Sequence, residues 1–256
     1  DDIWTKKKDR RVALIHMMIA ILLTALTQVG GVVWLMALIL RGTGPARVLR
    51  HGALVVSLYT ALSVGAWAVA PVFGRVALPC FGHSVEGLRA ERALLCVMNR
   101  TYVAPALADE LLVMGRALAV DGYELRTLDA GFPIPMPILP HLSHRNGRAV
   151  DIALPLIGGR APFGYFAFVQ PTGSATDACA GRAGWLRWNL PALQPATVLL
   201  DDAAARAQIE AILERPNLTA FIEPHLEARL GFDDPRLRFQ GCHAARHDDH
   251  IHISMN

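Results

Sequence analysis

Histidine is the residue type best able to do chemistry in this chain, and its placement is uneven. Six of the ten histidines fall in two short stretches, His141 and His144, then His243, His247, His250 and His252. The second stretch ends Asp249-His-Ile-His-Ile-Ser254. Alternate residues of a strand share a face, so His250, His252 and Ser254 point one way while Ile251 and Ile253 point to the core. Two imidazoles at that spacing can address one metal ion, or one can bind the ion while its neighbour reaches a substrate. The first stretch reads PHLSHRNGRAVD, from Pro140 to Asp151. Its Asn146-Gly147 pair favours a tight turn, which carries the chain from His144 into a strand bearing Asp151. His144, Asp151 and His252 together make a set of two nitrogen donors and one oxygen donor with a fourth position left for water. Three protein ligands plus an open site is the catalytic zinc pattern. Spacing alone also permits a blander reading, in which the His-x-His is a chance pair and the turn histidine is a surface residue.

The elements that must position these residues are legible in outline. Residues 85–99 and 103–120 read as helices, the second with Leu107, Leu111, Leu112, Met114 and Leu118 at helical spacing before Asp121-Gly122. Residues 123–128 and 149–154 read as strands, and a proline-rich loop at 131–140 leads towards His144. A helix over 204–214 and strands at 219–222, 236–240 and 249–255 follow. Helices and strands segregate rather than alternate, which predicts an α+β fold, an antiparallel sheet with flanking helices.

The front of the chain is different. The 256 residues are 53% hydrophobic with a mean hydropathy of +0.32, and the excess lies in residues 12–40 and 52–78. Each run is long enough to cross a bilayer, which needs about 20 apolar residues, with a possible kink at Gly30-Gly31. A cleaved signal peptide fits poorly, because the first run is long and a second follows it. The expected organisation is a two-helix transmembrane hairpin at 1–79 and a globular domain at 80–256, large enough for one core. In such a hairpin the N-terminus and the domain share one side. Charge then gives conflicting orientations. The connecting loop carries Arg41, Arg47 and Arg50, and the N-terminal flank carries Lys6, Lys7, Lys8, Arg10 and Arg11, yet basic flanks belong on the cytoplasmic side. His16, inside the first run, reads as a functional intramembrane group or as a side chain reaching the interface.

The net charge of +3 forms no basic stripe, so no nucleic-acid partner is expected. Cys80, Cys96, Cys179 and Cys242 all lie in the domain and contain no C-x-x-C pair. They suit two disulfides in an oxidising compartment, with three possible pairings, or four reduced core thiols.

Ser143-His144-x-x-Gly147-x-Ala149-x-Asp151, with the later His-x-His, resembles the signature of the zinc D,D-peptidase, lysostaphin-like and Hedgehog-type fold. Within that group the chain looks most like the penicillin-insensitive murein endopeptidases, through His141 ahead of the motif and His247-Asp-Asp-His250-Ile-His252 at its end. It is also similar to uncharacterised bacterial proteins carrying LPHLSH and RHDDHIH. The resemblance covers about residues 121–256 and not the apolar hairpin.

The resemblance implies a zinc cofactor held by His144, Asp151 and His252, which suits amide hydrolysis without a covalent intermediate. His250 is the implied group acting on the developing oxyanion or a proton. Asp249 takes second place, since strand alternation turns it away from His252. His141, His247 and Ser143 fall to the surrounding shell or the substrate rim. Arg126 is a candidate for a substrate carboxylate, against a plain structural ion pair. The implied substrate is a peptidoglycan stem peptide or cross-link. That places the chain in the cytoplasmic membrane, contacting lipid through its N-terminal helices, with its domain facing the periplasm or cell exterior. A zinc-containing binding or sensing module without hydrolysis is the alternative, and a cytoplasmic peptidase a third possibility.

Overall fold

The first apolar run is not one helix. In the computed structural model, which describes all residues except 1, 83, 140–141, 159, 174–176, 185–186, 188–190 and 194–197, and only the backbone at 2–9, 142 and 191, helix α1 (Asp2–Thr27) stops at a sharp reversal. Gln28 takes a positive φ of 67° there, and α2 (Gly30–Leu40) folds back along α1. A Cβ on Gly31 would run into the Ala20 carbonyl and the Thr24 hydroxyl. The Gly30-Gly31 pair therefore supports a close antiparallel crossing rather than the kink expected from sequence. Helix α3 (Arg47–Val69) then returns beside α2.

Two contacts fix the ends of this bundle. At one end His16 packs on Trp34 (ring centroids 5.9 Å) and Trp34 on His51 (4.6 Å), so His16 belongs to a packed aromatic layer. At the other end Asn99 Nδ2 donates to the Thr27 carbonyl (3.4 Å) and to Ser63 Oγ (3.1 Å). Gln28 also exchanges hydrogen bonds with the backbone of Ile134 (2.6 and 3.2 Å). Arg10 and Arg11 precede His16 on α1, Arg41 follows α2, and Arg47 and Arg50 open α3, so all five lie towards the end of the bundle opposite the Thr27–Gln28 reversal. The reversal thus puts the N-terminal flank and the arginine loop at the same end, and the conflict in the charge pattern disappears. Arg10–Thr27 and Arg47–Phe73 are long and apolar enough to cross a membrane. α2, at about 16 Å, is much shorter than the ~30 Å hydrocarbon core. Leu14, Ile21, Leu22, Val56 and Trp67 are exposed along α1 and α3, a density of bare apolar surface unusual for a helix facing water.

The domain is mixed α+β. Its main sheet has the order β2 (Leu88–Ala90), β4 (Leu125–Thr127), β5 (Ala149–Ala153), β10 (His250–Met255), β8 (Leu218–Phe221) and β9 (Leu237–Arg238). The four inner strands are antiparallel, but β2–β4 and β8–β9 are parallel, so the sheet is mixed rather than purely antiparallel. Two small ladders flank it, β1 (Val76–Ala77) with β3 (Tyr102–Val103) and β6 (Leu156–Ile157) with β7 (Leu199–Leu200). Val150, Ile152, Ile251 and Ile253 share one core with Leu107, Leu111 and Met114 of α5 (Pro105–Val120) and Ile209 and Ile212 of α6 (Asp202–Leu213). α6 is capped by Asp201, whose side chain accepts from the Ala204 amide at 3.1 Å.

The helix expected over 85–99 is mostly absent. Val85 and Leu88 close a tight turn, β2 follows, and only α4 (Ala93–Val97) is helical. Gly87, at φ 77°, abuts the Gly115 carbonyl of α5, where a helix would not fit. Helix α7 (Pro224–Leu230) lay outside the expected elements. All four cysteines are bonded, Cys80 to Cys96 and Cys179 to Cys242.

Candidate metal centre

Strand pairing delivers two of the three donors. In the β5–β10 register His252 stands directly opposite Asp151, and His250 opposite Ala153. Because alternate residues share a face, Asp151, His250 and His252 turn away from the core that holds Ile152, Ile251 and Ile253. His252 Nδ1 lies 2.8 Å from Asp151 Oδ1.

The third donor comes from a turn. His144 sits in the 3₁₀ turn Leu142–Asn146 that leads into β5. Its Nδ1 faces the Ala130 carbonyl at 2.7 Å and its Nε2 faces Asp151 Oδ1 at 3.3 Å. An Nδ1–H donated to a carbonyl fixes the tautomer that leaves the Nε2 lone pair for a metal. Arg75, buried just after the helical bundle, donates to the carbonyls of Arg145 (2.7 Å) and Asn146 and so caps this turn. Gly147 follows at φ 70°, and a Cβ there would collide with the Arg75 guanidinium and come within 2.9 Å of the Ala104 amide. The expected Asn-Gly turn is present, with Asn146 Oδ1 accepting from the Arg148 amide at 2.9 Å.

The donor atoms of His144, Asp151 and His252 all lie within 4.8 Å of one another. Corners of a zinc tetrahedron with bonds of about 2.0–2.2 Å are roughly 3.3–3.6 Å apart. The His144–Asp151 spacing meets that, and the His252–Asp151 pair needs to open by about half an ångström. Two imidazole nitrogens and a carboxylate oxygen suit a borderline-soft divalent ion. The residues therefore fit a bound zinc. No family model matches the chain, and no curated protein matches it, so the assignment rests on this geometry and the residue pattern.

His250 stands beside the donors, with Nε2 3.7 Å from Asp151 Oδ1 and Nδ1 2.5 Å from Asp249 Oδ1. Burial works against its imidazolium, but Asp151, Asp249 and Asp248 outweigh that and raise its pKa to about 9. A bound cation would offset the Asp151 charge. Burial, opposed by the hydrogen bond to Asp151, lowers the pKa of His252, which favours the neutral imidazole that ligation requires. Asp249, the residue before β10, meets His250 Nδ1 with one oxygen and accepts from the Phe166 amide with the other at 2.8 Å. It is therefore placed to orient His250 rather than to meet a metal itself.

The other expected residues divide. His247 joins the cluster, its ring 4.9 Å from His250 and 5.9 Å from His252, and its amide donates to Glu223 Oε1 at 3.1 Å. Ser143 is exposed, and so is His243. Arg126 is engaged by Glu91 (3.2 Å) and Glu124 (2.9 Å). It shares with Asp249 the wall of a cavity of about 450 Å³, lined also by Glu91, Ala153 and Gln208. His141 lies outside the described residues.

Several supporting residues escaped the sequence reading. Tyr165 donates to Asp151 Oδ2 at 2.8 Å. Arg100 grips Asp129 through two hydrogen bonds (2.5 and 2.9 Å) next to the carbonyl that holds His144. Glu223 pairs with Arg187 at 3.0 Å beneath His247. Tyr165, Arg100 and Arg187 sit in no recognisable motif, and Glu223 lies in a stretch, Thr219–Pro224, whose resemblance to the family gave it no role. The centre they enclose is closed: His144 and Asp151 are 0% exposed and His252 4%.

Proposed function

We propose that this chain is a membrane-anchored zinc metallopeptidase that hydrolyses amide bonds in peptidoglycan stem peptides or cross-links. The observation that carries the proposal is the meeting of His144, Asp151 and His252 from segments about a hundred residues apart, with an Asp249-held His250 beside them. The resemblance to the zinc D,D-peptidase, lysostaphin-like and Hedgehog-type fold, closest to the murein endopeptidases, supplies the substrate class.

Zinc, when bound, supplies a Lewis acid that polarises an amide carbonyl and raises the acidity of water. His144, Asp151 and His252 hold it. His250 offers a donor where negative charge develops on the scissile amide oxygen, a role worth several kcal/mol when such groups are preorganised. Asp249 keeps that ring turned towards the donors, and His247 packs its outer face.

The domain works outside the cytoplasmic membrane, with the N-terminus on the cytoplasmic side. This differs from the hairpin expected from sequence, in which both termini shared one side. Support comes from Arg10 and Arg11 at the start of the first span, as basic flanks are retained in the cytoplasm. The two disulfides agree, since cytosolic thiols are kept reduced.

Purified full-length protein should contain about one zinc and release fragments from isolated sacculi in a chelator-sensitive manner. A second reading, a zinc-containing module that binds or senses without hydrolysis, is favoured by the burial of all three donors, which leaves a polymeric substrate little access to an ion held there. Stoichiometric zinc without fragment release would select it. Four alkylatable thiols in unreduced protein from cells, with a C-terminal reporter active only in the cytoplasm, would reject the extracytoplasmic placement.

A further inference from the structure

Tyr165 lies in the loop after the 3₁₀ turn Pro162–Gly164, with no motif around it. Its hydroxyl donates to Asp151 Oδ2 at 2.8 Å and accepts from the Asp129 amide at 3.1 Å. Its ring meets His250 edge-on at 5.2 Å between centroids. Asp151 thereby divides its two oxygens: Oδ2 is committed to Tyr165, while Oδ1 faces His144 Nε2 and His252 Nδ1.

We infer that Tyr165 is a positioning residue that restricts Asp151 to one-oxygen ligation and thereby keeps a coordination position open at the metal centre. The inference rests on the zinc reading above. A carboxylate released from this hydrogen bond can turn both oxygens on an ion, as unconstrained carboxylates often do. That would fill the position a substrate or water needs and would misplace the oxygen that spaces the two imidazoles. Outer partners of this kind typically contribute 10–100-fold to metal affinity. Asp129 links the arrangement together. Its amide orients the Tyr165 hydroxyl, its carbonyl accepts from the Asp151 amide at 2.8 Å, and the next carbonyl, of Ala130, holds His144.

The test uses the full-length protein in detergent, with zinc affinity read by chelator competition and coordination read by the visible absorption of the cobalt(II) form. Tyr165→Phe keeps the ring against His250 and removes only the hydroxyl. It should weaken zinc roughly 10–100-fold and lower the cobalt absorption intensity, as a rise in coordination number does. Circular dichroism reports whether the variant folds. Should it not, 2,3-difluorotyrosine placed at 165 keeps the shape while strengthening the O–H donor, and it should still shift the cobalt spectrum. A folded Tyr165→Phe with unchanged zinc affinity and cobalt spectrum would overturn the inference, as would an unchanged spectrum for the fluorinated form. Failure of the wild-type protein to bind zinc would instead sink the metal reading itself, so the two failures are distinguishable.

Discussion

The two sides of the metal centre are built by different means. Asp151 and His252 sit opposite each other on paired strands, so the hydrogen-bond ladder that makes the sheet also places two of the three donors. His144 arrives on a short turn with no ladder of its own. It is held by an arginine from the end of the helical bundle, a carbonyl from the loop after β4, and a glycine that only its φ and its neighbours explain. Strand-borne ligands are placed by local rules that any sheet obeys. The turn-borne ligand is placed by contacts outside any ladder, a distant arginine seated against Gly147 and the Ala130 carbonyl, each of which can be lost separately.

The largest effect tests whether both sides are needed. His144→Ala, Asp151→Ala and His252→Ala should each abolish stoichiometric zinc binding, measured on purified protein by metal analysis. Full zinc retained by any two of them would remove the shared centre, and with it the comparison.

His250 separates delivery from chemistry, since it rides on the same strand as His252 without belonging to the three-donor set. His250→Ala should keep zinc and lose turnover by roughly 10²-fold or more, while Asp249→Asn should cost less, because it acts through the ring. The reverse order in sacculus digestion would move the central role to the carboxylate.

The turn side is probed by its glycine. Gly147→Ala should destabilise the domain by about 1–3 kcal/mol and weaken zinc as well, because the new Cβ displaces Arg75. Gly122 is the matched control: its φ is also positive, at 79°, but no atom lies within 4 Å of an added Cβ. Gly122→Ala should show backbone strain alone in thermal unfolding, with zinc affinity unaltered. Equal zinc affinities for the two variants would show that the turn is not held through Arg75.

A comparable effect is expected of Arg75→Met, which removes the cap but keeps much of the side-chain volume. Leaving the Arg145 and Asn146 carbonyls without their donor should cost about 1–3 kcal/mol. Zinc should weaken in step, which chelator competition would register.

What the sequence made legible follows the same division. Period-two alternation from Asp249 to Met255, and the Asn-Gly turn before Asp151, made His144, Asp151, His252 and His250 candidates, and the resemblance, not the spacing, turned them into a ligand set. The supports of the turn were invisible, because Arg75 and Tyr165 are 69 residues before and 21 residues after His144 and carry no motif. Two helices long and apolar enough to cross a membrane are present as expected, but the extent of the first was misread for a related reason. Hydropathy identifies residues 12–40 as apolar but does not distinguish one long helix from two that fold together, and Gly30-Gly31 suits either. The helix expected at 85–99 failed because its apolar spacing was weighed without Gly87, whose conformation and close approach to α5 break the run.

The pairing of β5 with β10 has one more consequence. A slip of one residue turns every side chain of a strand to the opposite face. In β10 such a slip would carry His250 and His252 to the hydrophobic side and bring Ile251 and Ile253 to Asp151. Misfolded and correctly folded chains would then differ in whether they can hold an ion at all. Metal capture would act as a proofreading step, drawing only the properly aligned chains out of the folding population.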